Sequence, residues 1–226
     1  MSWSDFLNKH AGKTAWIFGK GASLDDYLES PDIKIENQLE QVRLVVNEAA
    51  LVVPKPNYFF AHDITGIDRA MCPEKWGFKN GYEGIDSRVR RKYDPDCVAI
   101  LVNGPHPSHL VYAARYKDRC PRMFGYRKGQ FDTKLLKLSA DELVETHALY
   151  AESATIQSAC HFAKLIGCAK VVLVGVDGGK GVAKVFNNMS CKTGPWYTKN
   201  RHDTHRILKS MGMPFTVWGE KPWQAP

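Results

Sequence analysis

Apolar and polar positions alternate along this chain in blocks that predict strands and helices in turn. Thr14-Ala15-Trp16-Ile17-Phe18 is an apolar run that breaks into Gly19-Lys20-Gly21-Ala22-Ser23-Leu24 and then two aspartates, which predicts a strand over 15–18, a tight turn and a helix over 24–28 stopped by Pro31. Gln41 to Asn47 is β-branched and apolar, like a buried parallel strand. Glu48 to Leu51 predicts a short helix before Pro54-Lys55-Pro56, and Asn57 to Ala61 an aromatic strand that runs into His62 and Asp63. A further strand is predicted at 97–102. Ser139 to Glu142 is a helix start of capping-box type, and a small-residue helix from Ser153 closes at Gly167. Lys170 to Asp177 is the clearest buried strand. A helix over 202–212 and a strand over 214–219 complete the pattern, and Ser4 to His10 predicts a short amphipathic helix covering a sheet edge. The stretch 65–138 is otherwise irregular and reads as an insertion or subdomain.

Helix, short turn and strand repeated in this order predict an α/β fold: a Rossmann-like, open, mostly parallel sheet with helices on both faces, in one domain over 1–226. In such a sheet, ligands bind beyond the carboxyl ends of the strands. Asn47, His62 and Asp63 should therefore gather beside the Gly19–Gly21 loop, and the strand over 170–177 likewise ends in an acid, Asp177, a further nucleotide-binding candidate. That loop reads either as a phosphate cradle, with Ser23 capping the next helix and free amides facing an anion, or as a plain structural turn. The third glycine of the dinucleotide fingerprint is absent.

Length and composition fit one folded domain: 226 residues, 44% hydrophobic and 24% charged, with no run of the ~20 apolar residues that span a bilayer and no secretion-type start, so the cytoplasm is the expected location. Six cysteines lack any Cys-x-x-Cys pair and read as free thiols. A net charge of +7 favours an anionic partner and leaves a nucleotide, DNA or an acidic glycan open. The basic runs Arg88–Lys92 and Lys199–Arg201 serve such a partner or form solvated loops. His106 and His109 read as surface polar residues rather than ligands, and His161 as a packing residue. Residues 178–200, rich in Gly, Lys and Asn, read as a mobile loop over the strand ends.

The order Gly-x-Gly-x-Ser-Leu, Val-Asn, a small-residue helix, and Ile-Gly-x-x-Lys-Val-x-Leu-x-Gly-Val-Asp over 166–177 resembles the Rossmann-like bacterial sialyltransferases and the related archaeal 6-hydroxymethylpterin pyrophosphokinase-like proteins of unassigned function. About half the chain takes part. The resemblance implies a nucleotide pocket of Gly19, Lys20, Gly21 and Ser23, with Asn47 on base or ribose and Thr155 and Ile156 near sugar or phosphate. It also implies, without a metal or resident cofactor, a tyrosine for the leaving phosphate and a histidine general base, here Tyr197 with His202 or His205. Ala22 stands where those transferases carry proline, and Ile156 where they carry glycine. Histidine titrates near neutral pH, as a base for sugar transfer must, and positions i and i+3 share a helix face. Two histidines alone do not make a zinc site.

Three functions follow as expectations: a metal-independent nucleotide-sugar glycosyltransferase; a pyrophosphokinase whose Mg²⁺ is held by Asp63, Asp177 and Asp203; or a nucleotide- or nucleic-acid-binding module without chemistry.

Overall fold

The computed structural model describes residues 2–30, 41–73, 88–89, 92–103, 112–178, 181–186 and 195–220, without the side chains of 195 and 196. Eight strands form one sheet: β1 (Thr14–Phe18), β2 (Gln41–Val46), β3 (Tyr58–Ala61), β4 (Val98–Val102), β5 (Met123–Gln130), β6 (Ala148–Ala151), β7 (Lys170–Val174) and β8 (Phe215–Val217). Every neighbouring pair is parallel, in the order β6-β5-β4-β3-β2-β1-β7-β8. The α/β class with helices on both faces is as the sequence predicts.

The described residues of the stretch 65–138 do not form a separate irregular body; 74–87, 90–91 and 104–111 lie outside them. They add α2 (Ile64–Met71) and both β4 and β5 to the common sheet. Other elements differ in extent. The start of the chain forms a 3-10 turn over Trp3–Phe6 instead of a helix over 4–10. It seals a sheet face, with Phe6 stacking edge-on against Tyr58, Phe124 and Phe162. Residues 47–51 are likewise a 3-10 helix.

Side chains alternate across the sheet, as the two-residue strand period requires. Ile17, Leu44, Phe60, Ile100 and Leu173 enter one core; Phe18, Val45, Phe59, Leu101 and Val174 enter the other. The second core is closed by α1 (Ser23–Glu29), the 47–51 turn and α2. The first is closed by α4 (Thr155–Leu165), whose residues are all buried except Lys164.

That burial has a topological cause. α4 leaves β6 at one edge, and the chain must return across the sheet to β7 beside β1. The helix therefore packs on β6, β3, β2 and β1 beneath, with α3 (Ala140–Thr146) and α5 (Pro195–Ser210) above. With protein on both sides it has no room for a polar stripe, which explains its run of Ala, Ser and Cys. Ser139 and Glu142 cap α3 reciprocally, as predicted. Gly167 ends α4 at φ +77°.

Candidate functional site

The chain leaves β1 towards β2 on one side and β7 towards β8 on the other, so the crevice between the ends of β1 and β7 is the topological switch point of the sheet. A cleft of about 280 Å³ opens there, walled by Gly19–Gly21, Asn47, His62, Asp63, Ser153–Ile156, Gly175–Gly178, Tyr197, Asn200 and Arg201. Of the residues expected in the site, Gly19, Lys20, Gly21, Asn47, His62, Asp63, Thr155, Ile156, Asp177 and Tyr197 all line it.

The glycine loop differs from a phosphate cradle. The amides of Gly19 and Gly21 donate to the carbonyls of Val174 and Gly175, both at 2.8 Å. Ser23 is not the cap but the first residue of α1, behind Ala22. Its amide donates to Asp177 Oδ2 at 2.7 Å and its hydroxyl to Asp177 Oδ1. A buried carboxylate thus takes the place an anion would have at the start of α1. The glycines serve contact between two loops: a Cβ on Gly21 would lie 2.5 Å from Asp177 Oδ2 and 2.8 Å from the Gly175 carbonyl oxygen.

The start of α4 is different. Ala154 stands at its N-cap, so no side chain caps it, and Thr155 and Ile156 open onto the cleft. The positive end of an eleven-residue, buried helix therefore faces the opening. The loop before it is stiffened by the Gln157 side-chain oxygen, which accepts the amides of Glu152 and Ser153, and is tied to α5 where the Ser153 hydroxyl donates to Asn200 Oδ1 at 2.8 Å.

Lys20 reaches Glu48 at 3.4 Å, and Glu48 also receives Arg69 of α2 at 2.7 Å. Burial alone would raise the Glu48 carboxyl, but the two cations outweigh it and hold it below the ordinary carboxylate range. Taken by itself this group has two cations to one carboxylate, and Asp63 and Asp177 add two carboxylates on the same cleft walls. Arg201 donates to the Asp177 carbonyl and, in a two-pronged pair, to Glu220 at 2.6 and 2.7 Å.

Asn47 sits at φ +52° at the end of β2, and its buried Oδ1 has no hydrogen-bond partner among the described residues. Such an oxygen has lost water without gaining a donor. Asp63 is exposed and caps α2 through the Gly66 amide. His62 rests its Nε2 on Tyr126 Oη at 2.7 Å and Ser158 Oγ at 3.1 Å.

His202 and His205 are not in this cleft. On α5, Tyr197, Asn200 and Arg201 face it, whereas five residues on from Tyr197 the helix has turned about 140°. The two histidines share a face, as their spacing predicts, but with Arg206, Lys209 and Ser210 around a separate surface groove. His205 lies against the Phe215 ring, and burial, then Arg201, lowers its pKa to about 4.

The described residues of the 178–200 segment are not a loose loop; 179–180 and 187–194 lie outside them. Val182 bridges Gly21, the Ala183 amide donates to the Lys20 carbonyl, and the Asp25 carboxylate accepts the amides of Lys184 and Val185. Residues 195–200 belong to α5.

The three aspartates of the Mg²⁺ alternative are apart in role: Asp177 on Ser23, Asp63 on α2, and Asp203 paired with Lys199 and Arg206. No cluster of three or more His, Cys, Asp or Glu able to hold a metal occurs among the described residues. Of the basic runs, Arg88 pairs with Asp25 and Glu29. Arg90, Arg91, His106, His109 and Cys191 lie outside the described residues. His161 is fully buried, accepting the Tyr150 amide at Nδ1 and donating through Nε2 to the Leu135 carbonyl. Cys72, Cys97, Cys120, Cys160 and Cys168 are buried free thiols. No described helix is long and apolar enough to cross a membrane.

No family model and no curated protein matches the chain. Among solved structures, it is similar to the MAf glycosyltransferase from Magnetospirillum magneticum AMB-1, with a TM-score of 0.51 and 13% identity over the whole of this chain. The match covers 39% of that protein's length. At this identity the likeness is one of fold: a Rossmann-like sheet of the kind found in a glycosyltransferase.

Proposed function

We propose that the chain is a nucleotide-sugar-dependent glycosyltransferase, with the donor's phosphate at the start of α4 and the nucleoside against Asn47. The observation that carries this reading is the uncapped N-terminus of α4 opening into the switch-point cleft, beside the Lys20–Glu48–Arg69 group. First-turn amides and a positive dipole suit a phosphate, and Asn47, a polar residue on the cleft wall, suits a base or ribose. The fold it has in common with a glycosyltransferase supports the same direction, and the resemblance to bacterial sialyltransferases is part of the proposal.

In the transfer itself, the acceptor hydroxyl attacks the anomeric carbon while the bond to the phosphate oxygen breaks. Charge develops on that phosphate, where helix amides and Lys20 would stabilise it. Tyr197 is the tyrosine on the cleft wall and would donate to the same group. The reaction is proposed to need no metal, and the net charge of +7 favours an anionic acceptor.

Calorimetric titration with CMP-, UDP- and GDP-sugars tests the reading. Saturable binding of at least one, unaffected by EDTA, is the expected outcome. No binding by any of them removes it. Magnesium-dependent release of AMP from ATP would replace it with pyrophosphoryl transfer.

A further inference from the structure

Lys20 and Arg201 are the lysine and arginine on the described walls of the cleft, and a glutamate meets each. The two pairs differ in what it costs to part them. The Glu48 side chain is 2% exposed and also holds Arg69, so it has no route to water. The Glu220 side chain is 40% exposed. An ion pair that open to solvent adds little to folding stability, because its members are well hydrated when apart. The Arg201–Glu220 pair is therefore the one that a ligand can open.

Its geometry points the same way. Both Glu220 oxygens lie on a single nitrogen, Nη2, at 2.6 and 2.7 Å, and Nη1 donates to the Asp177 carbonyl at 3.3 Å. Nε–H has no acceptor among the described residues, so Glu220 does not engage the two-nitrogen fork with which arginine grips an oxyanion. The stem, by contrast, is held. It lies on the backbone of Gly178, at φ +68°, where an added Cβ would come within 2.8 Å of Arg201 Cδ. One residue before Arg201, Asn200 accepts the Ser153 hydroxyl at 2.8 Å, next to the start of α4. The arginine's backbone is thus fixed beside the helix end, while its head is held only by an exchangeable partner.

We propose that Arg201 binds the phosphate of the sugar nucleotide and that Glu220 is its built-in competitor: carboxylate and phosphate contend for one guanidinium, so binding the donor frees Glu220. This rests on the glycosyltransferase reading above. The exchange replaces a contact at one nitrogen with a forked contact to a group that the α4 amides attract as well. No covalent bond changes. Donor affinity is then set in part by Glu220, a residue that does not line the cleft.

Calorimetric titration of the full chain and its variants tests this, with the sugar nucleotide that binds in the screen and with inorganic pyrophosphate as a second probe. Arg201→Gln should lose about tenfold or more in affinity for both, the scale of a lost charged hydrogen bond. Glu220→Gln, a substitution on the surface, should gain about threefold, the scale of a partly exposed ion pair. The double variant should bind as weakly as Arg201→Gln alone. Should Arg201→Gln not fold, Arg201→Lys keeps stem and charge without the fork and should still lose about threefold. Unchanged affinity in the Arg201 variant overturns the proposal. Unchanged or weaker binding by Glu220→Gln also overturns it, since Glu220 would then be inert or a support for Arg201. A gain that persists in the double variant overturns it too, because the carboxylate would be acting by its charge and not through Arg201. The full pattern with pyrophosphate, but no binding of any sugar nucleotide, supports the exchange and overturns the transferase reading. No binding of either probe to wild type or Glu220→Gln overturns both.

Discussion

Ser23 and Asp177, 154 residues apart, close the β1 and β7 loops on each other: the serine amide and hydroxyl both donate to the one carboxylate, and the Gly175 amide donates to the serine oxygen at 2.9 Å. Asp177→Asn puts an amide NH₂ or a single oxygen where two donors converge, so it should destabilise by about 1–3 kcal/mol. Gly21→Ala should do the same by pushing its methyl against that carboxylate and the Gly175 carbonyl. Urea unfolding of each variant checks this; wild-type midpoints would show that the contact does not hold the loops.

Glu48 gathers Lys20 and Arg69 while almost wholly buried. Glu48→Gln keeps the shape but leaves two cations beside each other, and should cost about 3–5 kcal/mol. Lys20→Ala should leave stability within about 1 kcal/mol and weaken sugar-nucleotide affinity about tenfold in calorimetry. Equal affinity would remove Lys20 from the phosphate.

His161 gives the fold an acid-sensitive point. Burial holds its pKa at about 3, against about 6.5 when unfolded. Between those values the unfolded chain takes a proton that the native state refuses, so stability falls as pH drops from about 6.5, by up to about 1.4 kcal/mol per unit. His161→Gln, which can still accept and donate, should flatten this limb in urea melts at pH 7, 5.5 and 4.5. Parallel slopes for variant and wild type would refute it.

His202→Ala and His205→Ala should each leave donor affinity and turnover within about twofold, because both side chains open onto another groove. A hundredfold loss in either would show that α5 reorients during the reaction.

Sequence reading reached the strands that are buried on both faces, because β1, β3, β4 and β7 carry continuous apolar runs and β2 ends in one, Leu44–Val46, after Arg43. It missed β5, where Arg127 and Lys128 interrupt the run, and β6, which is only four residues long. The early start of α5 had a signal, since Pro195 is suited to the first turn of a helix. Strand-end logic was enough to bring Asn47, His62 and Asp63 to the glycine loop. The direction of α5 was not legible: a 3.6-residue period says that His202 and His205 share a face, but burial of Thr204, Ile207 and Leu208 decides which face turns inward. Nor could it show that Asp177 would occupy the start of α1, a contact between distant segments.

The most direct measurement is calorimetric titration of wild type and Thr155→Glu with CMP-, UDP- and GDP-sugars. Thr155 is the first residue of α4, where a carboxylate suits the helix dipole and offsets part of the cost of a larger side chain at a buried position, so the variant should stay folded while its own negative charge competes for the helix amides and repels phosphate. The account predicts saturable binding of at least one sugar nucleotide to wild type and a loss of at least about tenfold in Thr155→Glu. Undiminished binding to a folded Thr155→Glu, or none to wild type, would contradict a nucleotide-sugar seat at the start of α4.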